Sequence, residues 1–144
     1  MKVKIRRKDS SVPLPVYGTP DSAAFDIASN EDVVIDPKSL AQIHTGLYFE
    51  CPPGYFLAMF SRSSTPKKKG LMPPHGVGVL DPDYAGPEDE ALVLVYNFTD
   101  EPVEVKKGDR IAQGIFLPFQ QVEWEEKDSL KEVTRGGVGS TGGH

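Results

Sequence analysis

Apolar residues recur along the chain in short runs, several of them alternating with polar positions: VKIR (3–6), DVVI (32–35), GLYFE (46–50), YFLAMF (55–60), GVGVL (76–80), ALVLVYNF (91–98), VEV (103–105) and RIAQGIFL (110–117). Alternation of this kind buries one face of an extended strand and leaves the other to solvent. The joints between runs, such as ECPPG (50–54) and FTDEPVEVKKGD (98–109), carry the Gly, Pro and Asp of turns. Glycine and proline total 27 of 144 residues, and no window of about 12 residues keeps an apolar period of 3.6 without a breaker. Long helices are therefore not expected. Many short strands at regular spacing predict an all-β sandwich or barrel.

The length, 144 residues, is that of one domain, with no repeat and no linker between two cores. Domain boundaries are expected at 1–133 for the β unit and 134–144 for a mobile arm. The last ten residues, RGGVGSTGGH, are too polar to bury themselves. A single cysteine, Cys51, excludes an intramolecular disulfide and a CxxC metal knuckle. The N-terminus MKVKIRRKDS has charge without an apolar core, so it does not read as a signal peptide, and no run reaches membrane-spanning length. The expected setting is cytoplasmic, away from membranes. A net charge of −5 argues against stable nucleic-acid binding. It leaves room for a small anionic ligand, because basic residues can be concentrated locally.

Five segments are unusual for plain strands and turns. AAFDIAS (23–29) sets Asp26 in an otherwise apolar, strand-like run, where a carboxylate needs a partner. SRSSTPKKKG (61–70) offers the planar fork of Arg62, the hydroxyls of Ser63 and Ser64 and three lysines, which suits phosphate oxygens and equally a solvated basic turn. GVLDPDYAG (78–86) places Asp81 and Asp83 on either side of Pro82, ahead of Tyr84. In KKGDRIAQG (106–114), Asp109 and Arg110 could pair with each other, and Gln113 intrudes among apolar neighbours. The tail combines Arg135, Ser140 and Thr141 with glycines whose backbone amides can wrap an anion, without the spacing of a Walker loop. Taken singly, each segment reads as structural as easily as functional.

In order and spacing, these five segments resemble the five motifs of the trimeric dUTPase family, from about residue 23 to 142. The resemblance implies a distorted jelly-roll with a Gly-rich C-terminal arm. It also implies hydrolysis of dUTP to dUMP and pyrophosphate, which limits uracil in DNA and supplies dUMP for thymidylate synthesis. By the family's pattern, Asp81 holds the water that attacks the α-phosphorus, and Tyr84 packs beneath the deoxyribose. Asp83 matches no catalytic role and is turn chemistry. Arg62, Ser63 and Ser64 grip phosphates, Gln113 positions phosphate and water, and Arg135, Val138, Ser140 and Thr141 belong to the closing arm. The hairpin with Gly78, Val79 and Leu80, together with His75, reads the base. Asp26 reaches Mg²⁺ through coordinated water, the metal being held by the triphosphate. The implied assembly is a homotrimer with shared active sites.

This chain leaves the family's pattern at Val138, where phenylalanine is usual, at His75, where many members have asparagine, and in GPEDEA (86–91), a longer and more acidic turn. Two neighbouring readings share the fold: a dCTP deaminase, with or without diphosphatase activity, and a dUTP-binding regulator without catalysis.

Overall fold

Among the described residues thirteen short elements follow one another, twelve strands and one helix: β1 Lys4–Arg7, β2 Val16–Tyr17, β3 Phe25–Ala28, β4 Val33–Ile35, β5 Leu40–Ile43, β6 Leu47–Glu50, β7 Tyr55–Phe60, α1 Thr65–Lys69, β8 Leu71–Met72, β9 Gly78–Leu80, β10 Val93–Asn97, β11 Val103–Val105 and β12 Arg110–Pro118. The computed structural model describes residues 1–137, so Val138, Ser140 and Thr141 lie outside the described residues. The all-β expectation holds. Among the described residues no helix is long and apolar enough to cross a membrane.

All strand pairings are antiparallel. The largest sheet has the order β2-β3-β12-β7-β9, with smaller sheets β5-β10-β8, β1-β6 and β11-β4. Alternation works as the sequence pattern requires. In β3, Phe25 and Ile27 are buried while Asp26 and Ala28 face outward; in β10, Val93, Val95 and Asn97 point inward. The inward residues join one core that includes Ile27, Ile35, Ile43, Leu57, Leu71 and Val105. Burying each such side chain contributes about 1.5–3 kcal/mol. Phe25, Phe49 and Phe116 form an aromatic centre with ring centroids 5.9–6.1 Å apart.

Asn97, fully buried, closes the turn after β10. Its amide donates to the carbonyls of Ile35, Asp36 and Glu101, and its oxygen accepts from Thr99. A buried amide is tolerated only when its hydrogen-bonding capacity is met in this way. Past Phe119, whose N–H reaches the Gly54 carbonyl at 3.0 Å, residues 120–137 form no strand or helix and are exposed.

Candidate active site

The basic segment folds as a turn running into α1, whose last turn carries Lys67, Lys68 and Lys69. Ser64 occupies the N-cap but its hydroxyl makes no capping bond, which leaves that oxygen available to a ligand. Gly70 ends the helix with φ +67°, and a Cβ there would sit 2.2 Å from Thr99 Cγ2. Only glycine fits both that backbone and that contact.

Beside this turn, sheet register gathers the charged groups. Asp26 on β3 and Gln113 on β12 are opposite one another, and Gln113 is also opposite Phe60 on β7. Residues directly opposite share a face. Asp26, 13% exposed at its side chain, is paired on both oxygens. Arg62 Nε donates to Oδ1 at 2.8 Å and Arg110 Nη1 to Oδ2 at 3.0 Å. Gln113 Nε2 donates to the Ser61 carbonyl at 2.9 Å, which fixes where Arg62 leaves the turn. Asp26, Arg62, Ser63, Ser64, Arg110 and Gln113 line one open cleft of about 660 Å³. Two guanidinium groups on one carboxylate, with two hydroxyls lining the same cleft, are groups of the kind that suit an anion.

Asp109 does not pair with Arg110. Its carboxylate takes Lys69 Nζ at 2.8 Å and the Lys106 N–H at 3.0 Å. The hydrogen bond from Lys69 is the main reason its pKa lies below the ordinary carboxylate value. Arg110 goes to Asp26 instead, a clamp residue that its sequence neighbourhood conceals.

A second cleft, about 360 Å³, lies along β9 and contains His75, Gly78, Val79, Leu80 and Tyr84, together with Gln42 and Glu90. Its size falls in the range of small-molecule pockets. Among the described residues strand β9 is the edge of its sheet, pairing only with β7, so its outer N–H and C=O groups can meet a ligand. Gly78 stands opposite Met59, and a Cβ would come within 3.1 Å of Met59 Cε. Val79 is exposed, whereas the Leu80 side chain is buried in the core, so Leu80 can offer the cleft only its backbone. Behind it, the buried Cys51 thiol contacts the Leu80 carbonyl, and burial pushes its pKa up.

Past Leu80, a β-turn closes with the Tyr84 N–H on the Asp81 carbonyl at 3.1 Å. Aspartate first and proline second suit such a turn. Yet the Asp81 side chain has no hydrogen-bond or ionic partner among the described residues and is exposed, as is that of Asp83. The turn is made by the backbone, and the Asp81 carboxylate stays available.

The two clefts share no lining residue. Within one chain, the structure collects Asp26, Arg62, Ser63, Ser64 and Gln113 on one side and His75, Gly78, Val79, Leu80 and Tyr84 on another. Arg135 is exposed and lines neither. Gln42, Glu90 and Arg110 were not singled out by sequence as site residues; only Arg110, a cation inside a quoted motif, carried a signal.

The dUTPase family profile matches residues 10–142. A deoxyuridine 5'-triphosphate nucleotidohydrolase of Desulfitobacterium hafniense is 44% identical over 149 residues, covering 99% of this chain and 97% of the relative. The enzyme of the same name from Lactococcus lactis is 40% identical over 144 residues, covering 98% and 95%. The crystal structure of dUTPase from Streptococcus mutans superposes with a TM-score of 0.78 at 30% identity, covering 86% of this chain and all of that one (100%).

Proposed function

The chain belongs to the dUTPase family, hydrolases acting on dUTP, and we propose that it cleaves dUTP to dUMP and pyrophosphate at sites built from more than one copy of the chain. The observation that carries this reading is the division of labour between the clefts. One carries an edge strand able to read a base, with Asp81, whose carboxylate has no partner among the described residues, directly following that strand just outside the cleft lining; the other offers groups suited to clamping an anion.

In the proposed reaction, backbone groups around Gly78, Val79 and Leu80 read the uracil edge, with His75 beside them, and Tyr84 packs beneath the deoxyribose. Asp81 takes a proton from a water as that water's oxygen bonds to the α-phosphorus. The bond from the α-phosphorus to the bridging oxygen breaks, and pyrophosphate leaves. Proton acceptance of this kind is worth about 10²–10⁴-fold in rate. Arg62, Ser63, Ser64 and Gln113 of another copy hold the triphosphate in line, with Arg110 helping through Asp26. Positioning and charge neutralisation dominate phosphoryl transfer. A homotrimer meets the need for two copies at each site, and the arm with Arg135, Val138, Ser140 and Thr141 is assigned to closure over the bound nucleotide. The reaction would limit uracil incorporation into DNA and supply dUMP for thymidylate synthesis.

The clamp fits a metal brought by the substrate. No group of three or more His, Cys, Asp or Glu suited to a metal exists among the described residues. Both Asp26 oxygens already accept an arginine N–H. Each keeps a second acceptor position, so coordinated water fits there better than direct ligation. Mg²⁺ bound to the triphosphate would neutralise part of its charge.

The deciding experiment is pyrophosphate release from saturating dUTP, with ammonia release from dCTP measured in parallel. Rapid pyrophosphate formation without ammonia is expected. Ammonia release would make the protein a deaminase, and dUTP binding without turnover would make it a regulator.

A further inference from the structure

The longer acidic turn after Tyr84 is organised by one glutamate. The Glu90 side chain is only 12% exposed, and both its oxygens are engaged. Oε1 accepts the Gly46 N–H at 2.7 Å, and Oε2 lies 2.8 Å from His44 Nδ1. The Glu90 backbone carbonyl accepts the Tyr84 hydroxyl at 3.1 Å. The attachment is reinforced next door, where Ala91 N–H donates to the Leu47 carbonyl at 2.8 Å and Thr45 Oγ1 to the Ala91 carbonyl at 2.6 Å. Asp89 steadies the other end of the turn by accepting the Gly86 N–H at 2.7 Å. Glu90 thus joins the 44–47 segment to the ring of Tyr84, and both Glu90 and Tyr84 line the second cleft.

We propose that Glu90 and His44 are positioning residues for Tyr84, and that loss of the charge on His44 slackens the turn and weakens nucleotide binding. The proposal rests on the reading above that Tyr84 packs against the nucleotide sugar.

Three charged groups face His44. Glu90 comes from the turn before β10. Glu31 comes from the β3–β4 connection, its Oε1 accepting the His44 N–H at 3.0 Å. Lys8 comes from the connection after β1. The hydrogen bond to Glu90 is the main cause that raises the imidazole pKa above its usual 6.5; burial opposes it, and Lys8 opposes the two carboxylates. A raised folded pKa means that the contribution of the charged pair is complete below about pH 6.5 and is lost as pH rises through the folded value. His44 is 56% exposed at its side chain, so water screens the pair and the effect is modest.

The test is the pH profile of KM and kcat for dUTP with the whole chain, from about pH 6 to about pH 9. KM of the native protein should rise by about 2–5-fold across that range, the span expected of one partly exposed ion pair. His44→Gln should hold KM flat at the high value and His44→Lys flat at the low one. Glu90→Gln, which can still accept the Gly46 N–H, should also flatten the profile. A KM slope that survives His44→Gln overturns the proposal, and so does a slope that disappears instead in His75→Asn. A pH effect confined to kcat overturns it too. Without any nucleotide, the ring resonances of Tyr84 should titrate with the His44 midpoint and cease to do so in His44→Gln. That measurement decides the linkage even if dUTP is not hydrolysed, because a Tyr84 ring indifferent to His44 overturns it.

Discussion

Gln113 on β12 lies directly across from Asp26 on β3 and, on its other side, across from Phe60 on β7. One row of the sheet therefore brings the carboxylate of the first cleft, the amide that holds Ser61 and the strand end that launches Arg62 onto a common face. Strand period is two residues, so a slip of one position would turn Gln113 into the core and Gly114 toward the clamp. Register holds this part of the site together.

Gly114 follows from the same geometry. It pairs with Phe25 and Met59, and an added Cβ would lie 2.7 Å from Phe25 Cζ and 3.0 Å from Leu57 Cδ1. The Phe25 ring is wedged against Phe49 and Phe116 and has little room to move. Gly114→Ala is expected to destabilise the fold by about 1–3 kcal/mol, the usual range for overpacking. Thermal unfolding checks this, and an unchanged Tm would mean that the aromatic centre yields more readily than its packing suggests.

The two aspartates flanking Pro82 should separate cleanly. Asp81→Asn preserves shape and removes a proton acceptor, so kcat for dUTP should drop by at least about 10²-fold while the fold and much of the nucleotide affinity persist. Asp83→Asn should alter turnover only slightly. Steady-state kinetics on both variants are sufficient, and near-normal turnover in Asp81→Asn would remove that residue from the proposed chemistry.

Much of the architecture was legible because the longer strands alternate. YFLAMF and VEV coincide with β7 and β11. The strands that escaped notice are β2 and β8, two residues each, and β5, whose Leu40 and Gln42 are exposed. None of these presents a buried face long enough to show a period. Helix α1 was hidden inside a basic stretch that reads as a turn. Neighbours in sequence also mislead about pairing. Asp109 and Arg110 enter β12 side by side, but successive side chains of extended backbone diverge, one to Lys69 and the other to Asp26. Gln42 and Glu90 reach the second cleft through pairing of β5 with β10 and through a long-range turn contact, neither of which leaves a local motif.

Magnesium should depend on nucleotide. With both oxygens of Asp26 holding arginines, the free protein is expected to bind Mg²⁺ weakly, and a non-hydrolysable dUTP analogue should create the site. Titration calorimetry with and without the analogue measures this. Tight binding to the free protein, abolished by Asp26→Ala, would mean direct ligation and a rearranged clamp.

Acid should loosen α1 from the turn that precedes β12. Asp109 has its pKa lowered from 3.8, chiefly by its hydrogen bond with Lys69. A depressed folded pKa gives stabilisation that is present above the unfolded value and is lost as pH falls through the folded one. Thermal unfolding between about pH 6 and pH 3 should show Asp109→Asn less stable than the native chain at the upper end, with the gap closing as the carboxylate is protonated. A gap that stays constant to the acid end would assign the difference to the neutral hydrogen bonds rather than to charge.

The separation of the clefts gives the strongest test of assembly. Asp81→Asn and Arg62→Ala should each be inactive alone, since each spoils every site. If Asp81 of one copy works with Arg62 of another, unfolding an equal mixture of the two variants and refolding it together should recreate intact sites. Random assembly in a ring pairs an intact Asp81 with an intact Arg62 at about one interface in four, so about a quarter of native activity should return. Mixing the folded variants without unfolding should return far less, because subunits must exchange first. A site made within one chain predicts no recovery under either protocol, since every chain then carries a lesion in its own site. Size-exclusion chromatography of the refolded mixture separates that outcome from simple failure to assemble.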